Sequence, residues 1–353
     1  MKKGSFVVVT GAGGFIGHHL VTRLRAEGYR VRGIDLKEPE YGKTDAHEFE
    51  ILDLRRWDNC LQALRGAEYV FALAANMGGI GFIETHKAEI VRDSSIINLL
   101  SIEAARVHGV KRFLFTSSAC IYPGYKQEDA DVTPLKESDA YPADAEDGYG
   151  WEKLYMERQC RHYREDFGLD TRIVRFHNIY GPLGTYDGGR EKSPAAICRK
   201  VAMAKDGDAI EVWGDGKQTR SYCYIDDCVE GLYRLMLSGF HDPLNLGMDR
   251  LVSINELVDI VAKIAGKRIG KRHDLTKPVG VRGRNSDNSL LREVLGWEPG
   301  IDLEEGLATT YSWIHEQVKG VPPEAPRAAA AAKVAAPRRA AAAKRRPSRS
   351  GAR

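Results

Sequence analysis

Three groups of residues in this sequence have the types and spacing to do chemistry. The stretch SSACIYPGY, Ser117 to Tyr125, delivers two hydroxyls and a thiol to the end of VKRFLF, an apolar run that reads as a buried strand. Ser118 and Cys120 are two apart, so extended backbone projects both to one side. In YGWEKLYMERQCRHYREDFG, Tyr149 and Lys153 are four apart on one face of a helical pattern. An ammonium beside a phenol lowers the phenol pKa and makes it a usable base toward a hydroxyl. In GGREKSPAAICRK, Ser193 and Pro194 read as N-cap and first helical residue, placing Lys192 beside the positive end of a helix, where its pKa falls.

Positioning such groups takes a scaffold, and the chain supplies a regular one. The runs FVVVT, YRVRGID, YVFALAA, VKRFLFTSS and TRIVRF read as strands, separated by helical patterns such as HHLVTRLRAEG and SIINLLSIEAARVHG. This is the rhythm of an α/β doubly wound parallel sheet, a Rossmann fold. Its first strand runs into TGAGGFIG, where Gly11, Gly14 and Gly17 are spaced three apart and Phe15 and Ile16 open a helix. Glycines there permit a tight turn and close approach to a pyrophosphate at a helix N-terminus. Asp35 ends the second strand, where a carboxylate accepts both ribose hydroxyls and repels a 2′-phosphate, so the expected cofactor is NAD rather than NADP. Asp53, ending the run ILDL, is a candidate adenine contact.

Composition bounds the rest. With 353 residues, 43% of them hydrophobic, the chain can bury a full core. Six scattered cysteines without a CxxC pair argue against a disulfide framework or a metal site and for a reducing compartment, so a cytoplasmic location is expected. Residues 4–22 carry no charge, but interspersed glycines and His18–His19 break any apolar block of the kind that a signal peptide or membrane span needs. Residues 321–353 hold nine Lys or Arg against one acid, Glu324. Removing that +8 from the net +3 leaves a body at −5. The expected organisation is a dinucleotide-binding domain over 1–175, a smaller discontinuous domain over 176–320 with segments returning to the main sheet, and a disordered basic tail over 321–353. SYCYIDDCVEGLYRLM is expected to supply one returning element. Nucleic acid is an expected partner only weakly, through the tail.

The glycine turn, the serine-bearing strand end and YGWEK together resemble the extended short-chain dehydrogenase/reductase family, in its sugar-nucleotide branch, over roughly residues 5–318. The resemblance makes Tyr149, Lys153 and Ser118 the redox set. In the 4,6-dehydratases of that family Asp and Glu follow the catalytic hydroxyl; here Ala119 and Cys120 stand there, which disfavours dehydration. A C4 ketone acidifies the hydrogens on C3 and C5 of a hexose, so a thiol in that place points to proton transfer at carbon, with Lys192 as the donor on the opposite face. Neighbouring cations and the bound cofactor are expected to lower the Cys120 pKa enough to give a useful thiolate fraction. The segments AANMGGIGFI, SSACIYP, RFHNIYGPLGTYDGGREKSPAA, WGDGKQTRS and GVRGRNSDN resemble the GDP-hexose 3,5-epimerases of this branch. That resemblance implies conversion of GDP-D-mannose to GDP-L-galactose through transient C4 oxidation, with release of the C5-only product GDP-L-gulose left open. It also implies a homodimer, and substrate contacts at Gly78, Ser118, Ala119, Cys120, Asn178, Glu191, Lys192, Lys200, Gln218, Arg220 and Arg284. The guanidinium forks suit a diphosphate on physical grounds as well. GDP-fucose synthases are the alternative enzyme. They share the cysteine but use NADPH and a His after the GP turn, where this chain has Leu183. A non-enzymatic sugar-nucleotide sensor, or an RNA-binding protein using the tail, is the alternative from another class.

Overall fold

The computed structural model describes residues 1–320; the basic tail expected over 321–353 lies outside the described residues. β1 (Phe6–Thr10) has Val7, Val8 and Val9 fully buried, as a strand covered on both faces of a parallel sheet requires. It leads through α1 (Phe15–Ala26), β2 (Arg30–Asp35), β3 (Glu48–Ile51), α2 (Trp57–Leu64), β4 (Tyr69–Ala72) and the short α3 (Ile80–Thr85) to α4 (Lys87–Val107). β5 (Arg112–Ser118), α5 (Asp147–Phe167) and β6 (Thr171–Phe176) follow. Next come β7 (Ile179–Tyr180), α6 (Ser193–Met203), β8 (Ala209–Trp213), β9 (Thr219–Arg220), β10 (Cys223–Tyr224), α7 (Ile225–Leu237) and β11 (Pro243–Leu246). The described chain ends with β12 (Val252–Ser253), α8 (Ile254–Ile264), β13 (Gly270–Asp274), β14 (Gly283–Arg284), α9 (Ser289–Leu295) and α10 (Leu303–Gly320).

Seven strands pair in parallel in the order β11-β6-β5-β4-β1-β2-β3. This is the doubly wound Rossmann fold that the sequence rhythm implied, and its order reverses at β1/β4, where such sheets open a crevice for ligands. Successive side chains of β1 face opposite layers: Val7 and Val9 pack toward α1 and α7, and Val8 packs with residues of α2, α4 and α5. The first of these cores runs on without a break to Leu257 of α8 and Ile314 of α10. Met1–Lys319 accordingly packs as one compact unit.

SYCYIDDCVEGLYRLM returns as expected, but as a helix: after the two-residue β10, paired with β7, it forms α7, which packs beside α1 and against β6 and buries Cys228, Leu232, Leu235 and Met236. The strand that returns to the main sheet is β11, PLNL, at the edge beside β6. Four residues led by a proline give almost no strand signal, and an edge is where a sheet tolerates that proline.

A buried polar network ties the end of β5 to its neighbours. Arg175 of β6 forks onto Glu157 of α5, with Nε–Oε1 at 2.9 Å and Nη2–Oε2 at 2.7 Å, and Ser117 donates to the same carboxylate at 2.6 Å. Arg175 also donates to the Tyr122 hydroxyl at 3.1 Å, and that hydroxyl donates to Asn245 Oδ1 at 2.6 Å. His177 approaches the same Asn245 oxygen at 3.1 Å. Burial pulls its pKa down to about 3 against the raising effect of that bond, so it is neutral. Breaking one side of the ion pair strands a buried charge. Arg175→Met should therefore lower the unfolding free energy by about 3–5 kcal/mol, and adding Glu157→Leu should recover part of it. Chemical denaturation measures both; losses that simply add would show that the two side chains are not coupled.

Candidate active site

The glycine turn is sterically committed. Gly11 has φ +71°, and a Cβ on it would lie 2.9 Å from the backbone of Leu73 and Ala74 at the end of β4. On Gly17 a Cβ would lie 2.1 Å from Gly11 O, and on Gly13 2.2 Å from Lys37 O. Gly14 is the N-cap of α1, and Phe15 and Ile16 form its first turn. Gly13, which the spacing argument passed over, also donates its N–H to Asp35 Oδ2 at 2.9 Å, while Leu36 N–H holds Oδ1 at 2.6 Å. The turn and the carboxylate expected to bracket a dinucleotide are thus one hydrogen-bonded assembly. Asp53 is engaged by Arg55 at 2.9 and 2.8 Å, and Arg55 continues to the buried Asp93 at 3.0 Å; the Arg55 hydrogen bond holds the Asp53 carboxyl below its ordinary range.

Across the crevice, the end of β5 meets the start of α5. Ser118 Oγ accepts from Cys120 N–H at 3.2 Å, and Cys120 O accepts from Glu146 N–H at 2.8 Å. A Cβ on Gly150 would lie 2.2 Å from that same Cys120 O, so only glycine lets the helix come this close. Tyr149 is buried beside Phe82, Ile90 and Cys120. The Tyr–Lys spacing predicts a lowered phenol pKa; here burial raises it instead, Cys120 and Glu152 add to that, and the Ser118 hydroxyl opposes it. Lys153, 2% exposed, holds its Nζ 5.7 Å from the Tyr149 ring centroid and 4.8 Å from that of Phe115. Its neighbour Glu152 accepts from Asn98 at 2.7 Å. Gly78 lies under Phe82, where a Cβ would come within 2.8 Å of that side chain.

The thiol has partners that sequence reasoning missed. Arg284 directs Nη1 to Cys120 Sγ at 3.6 Å and Nη2 to Glu146 Oε2 at 2.9 Å, while its Nε donates to Gln127 Oε1 at 2.5 Å. Gln127 is itself buried and pinned by the carbonyls of Tyr122 and Pro123 at 3.1 and 3.2 Å. The sequence reading had neighbouring cations lowering the thiol pKa. Here burial raises it, the Glu146 charge raises it further, and Arg284 and Ser118 only partly offset them. Glu146 in turn is pushed up by burial but held below its ordinary value by Arg284 and by the hydrogen bond from the thiol, with Arg220 adding to the effect. At neutral pH the site is a thiol beside a carboxylate, under an arginine.

Lys192 is exposed and is itself the N-cap of α6; the expected cap, Ser193, instead shares a 2.9 Å hydrogen bond with Tyr222. Desolvation lowers the Lys192 pKa and Arg284 lowers it further, against the raising effect of Cys120 and Cys228. Arg220 is brought down to about 10 by desolvation and by Arg284. Ala119, buried between Ser118 and Cys120, belongs to the same turn. The remaining expected contacts make their hydrogen bonds outside the thiol cluster. Lys200 donates to Glu211 O at 2.8 Å and Gln218 to Trp213 O at 3.0 Å, both along β8, while the buried Gln218 Oε1 has no protein partner. Asn178, at φ +39°, donates to Ser221 O at 3.0 Å. Glu191 accepts from Gly189 N–H at 2.7 Å, and its neighbour Arg190, 3.8 Å above the Phe82 ring, ties this loop to Met77 O at 3.3 Å.

A glycine turn with an aspartate beyond it, facing a tyrosine–lysine helix across the switch point, defines a dinucleotide-dependent enzyme of the Rossmann class. The chain belongs to the NAD dependent epimerase/dehydratase family, whose model matches residues 7–247. It is 50% identical over 315 residues to GDP-mannose 3,5-epimerase 1 of Oryza sativa subsp. japonica, covering 89% of this chain and 82% of that protein. The GDP-mannose 3,5-epimerase of Arabidopsis thaliana is also 50% identical, with 89% and 83% covered. GDP-L-fucose synthase 1 of Arabidopsis thaliana is more distant, at 30% over 326 residues, with 90% and 95% covered. Among solved structures, the UDP-glucose 4-epimerase of Thermotoga maritima with UDP-glucose superposes with a TM-score of 0.79 at 26% identity, covering 89% of this chain and 99% of that one. MoeE5 in complex with UDP-glucuronic acid and NAD gives 0.73 at 30%, covering 89% and 100%.

The cofactor is NAD, and the turn at Gly11–Gly17 together with the Asp35 carboxylate fits it. Gly13→Ala forces the turn away from Lys37 and should weaken NAD binding by ~10-fold or more. Calorimetry with NAD measures this, and an unchanged affinity would show that the turn does not carry the dinucleotide.

Proposed function

We propose that this protein epimerises C3 and C5 of GDP-D-mannose to give GDP-L-galactose, with residues 1–175 holding the dinucleotide and residues 176–320, apart from the returning β11, holding the sugar nucleotide. The observation that carries this reading is the convergence of Cys120, Arg284 and Lys192 beside Tyr149, and the 50% identity to plant GDP-mannose 3,5-epimerases supports it. A 4-epimerase has no use for an acid and a base at carbon.

Bound NAD supplies reversible two-electron oxidation of the sugar carbinol at C4. Gly11, Gly14, Phe15, Ile16 and Gly17 would hold its pyrophosphate, Asp35 its ribose hydroxyls, and Asp53 its adenine end. Tyr149 Oη, assisted by Ser118 and by the Lys153 ammonium, takes the C4 hydroxyl proton and later returns it. With C4 at the ketone level, Cys120 Sγ removes a proton from C5 or C3 and Lys192 Nζ returns one on the opposite face, inverting the carbon. Arg284 stabilises the thiolate as the proton leaves. Arg220 and Arg284 meet the diphosphate, and Gly78, Ala119, Asn178, Glu191, Lys200 and Gln218 complete the substrate contacts. Trp151 and Tyr155, exposed four residues apart on α5, support assembly as a homodimer, and six free thiols support a cytoplasmic location. Among the described residues no helix is long and apolar enough to cross a membrane.

Incubation with GDP-mannose in D₂O, followed by NMR of the product, tests the reading. Wild type should carry deuterium at both C3 and C5. Cys120→Ala should label neither, and Tyr149→Phe should also abolish labelling, because without the ketone neither carbon is acidic. Labelling by Cys120→Ala at the wild-type rate would remove the thiol from the mechanism. The pH profile has a defined sign. Activity rises as the thiol pair loses its proton and falls as Lys192 loses its own, and the lowered Lys192 pKa places that fall below the ordinary lysine value of 10.5. An alkaline limb at or above that value would exclude Lys192 as the acid.

A further inference from the structure

Inverting two carbons with one base and one acid leaves a proton-accounting problem. Each inversion converts Cys120 thiolate and Lys192 ammonium into thiol and free amine: one C–H bond breaks toward Sγ and a new one forms from Nζ. A second inversion on the same bound sugar cannot start until Sγ has lost the proton it took and Nζ has regained one. Resting on the epimerase reading above, the structure must therefore offer the thiol an exit for its proton.

We propose that Glu146 is that exit: its carboxylate takes the proton from Cys120 Sγ, which rests as a thiol, and passes it to water, giving the thiolate before the first inversion and again before the second. Glu146 lies beside the thiol, is tied to the Cys120 carbonyl through its own N–H at 2.8 Å, and is held by Arg284 Nη2 at 2.9 Å while Nη1 of the same guanidinium reaches Sγ at 3.6 Å. Arg284 thus faces whichever of the two groups is charged, so moving the proton from sulfur to oxygen does not strand a buried anion. The Glu146 side chain keeps 26% of its surface exposed, against 7% for Arg284, which gives the proton a way to solvent. The step balances as Cys120 thiol plus Glu146 carboxylate giving Cys120 thiolate plus Glu146 carboxylic acid, which then releases H⁺ to water; Lys192, which is exposed, regains its proton from solvent. Gln127 fixes the arginine from behind through Nε at 2.5 Å. Glu146 acts through Cys120, which makes it a positioning residue for the reaction.

Two measurements on full-length protein with NAD bound decide the matter. In D₂O with GDP-mannose, Glu146→Gln keeps the size and polarity of the side chain but cannot take a proton, so the ratio of doubly to singly labelled product should fall by ~10-fold, and Glu146→Asp should restore part of it. A wild-type ratio in Glu146→Gln overturns the proposal. The charged or titratable groups acting on Glu146 are Cys120, Arg284 and Arg220. With the carboxylate gone, alkylation of Cys120 by iodoacetamide, read by mass spectrometry without substrate, should shift to lower pH, because a charge opposing the thiolate is lost. The other five cysteines are buried. An unshifted alkylation profile also overturns the proposal. Absence of any label in wild type would instead count against the epimerase reading, with the alkylation profile still judging the Cys120–Glu146 pair.

Discussion

The structure depends on how closely the first turn of α5 approaches the end of β5. Gly150 has no Cβ, and one built there would stand 2.2 Å from Cys120 O. Because that contact is permitted, Glu146 N–H reaches the same carbonyl, Tyr149 lies against Cys120, and Lys153 lies one turn further on beneath the Tyr149 ring. Tyr149, Lys153 and Cys120 are thus gathered on two rigid elements. A single sugar ring can meet both without the protein rearranging. Beneath them, the Arg175–Glu157 pair clamps α5 to β6 and, through Ser117, to β5, so the approach is fixed from the buried side as well.

Charge organises the other half of the site. Arg284 comes from β14, far along the chain, yet it is the guanidinium that faces the thiol and the Glu146 carboxylate together. Its presence keeps Glu146 ionised, while burial, with the Glu146 charge adding to it, keeps Cys120 protonated. Lys192 stands at the other end of this field, with its pKa depressed by surroundings that include the same arginine. In the proposed mechanism the base is thus restrained until its proton has somewhere to go, while the acid is primed to give one up. That division suits a reaction in which proton removal and return must follow oxidation at the neighbouring carbon.

Much of this was legible in the sequence, for physical reasons that differ by element. β1 and its glycine turn were legible because a fully buried strand and a backbone turn against a helix N-terminus leave a local pattern, and Tyr149–Lys153 because helical spacing is local too. β11 was not: four residues at a sheet edge beside β6 are strand only by tertiary pairing. Glu146 and Gln127 were not legible either, because their roles rest on Arg284, more than a hundred residues away, and nothing in DAEDGYG or YKQED marks such a contact. The direction of the thiol pKa was misread for the same reason. Sequence shows that cations are available, whereas the balance between burial, Glu146 and Arg284 exists only in three dimensions. The Ser193 cap was displaced by one residue because its hydroxyl found Tyr222 instead.

The central claim is that one face of the hexose meets a thiol and the other an ammonium. A crystal structure of the protein with NAD and GDP-mannose tests it most directly. The account predicts the sugar ring lying between Cys120 Sγ and Lys192 Nζ, with both atoms in reach of C3 and C5 from opposite faces and the C4 hydroxyl at Tyr149. A ring with both groups on one face, or with Lys192 turned away into solvent, would contradict it.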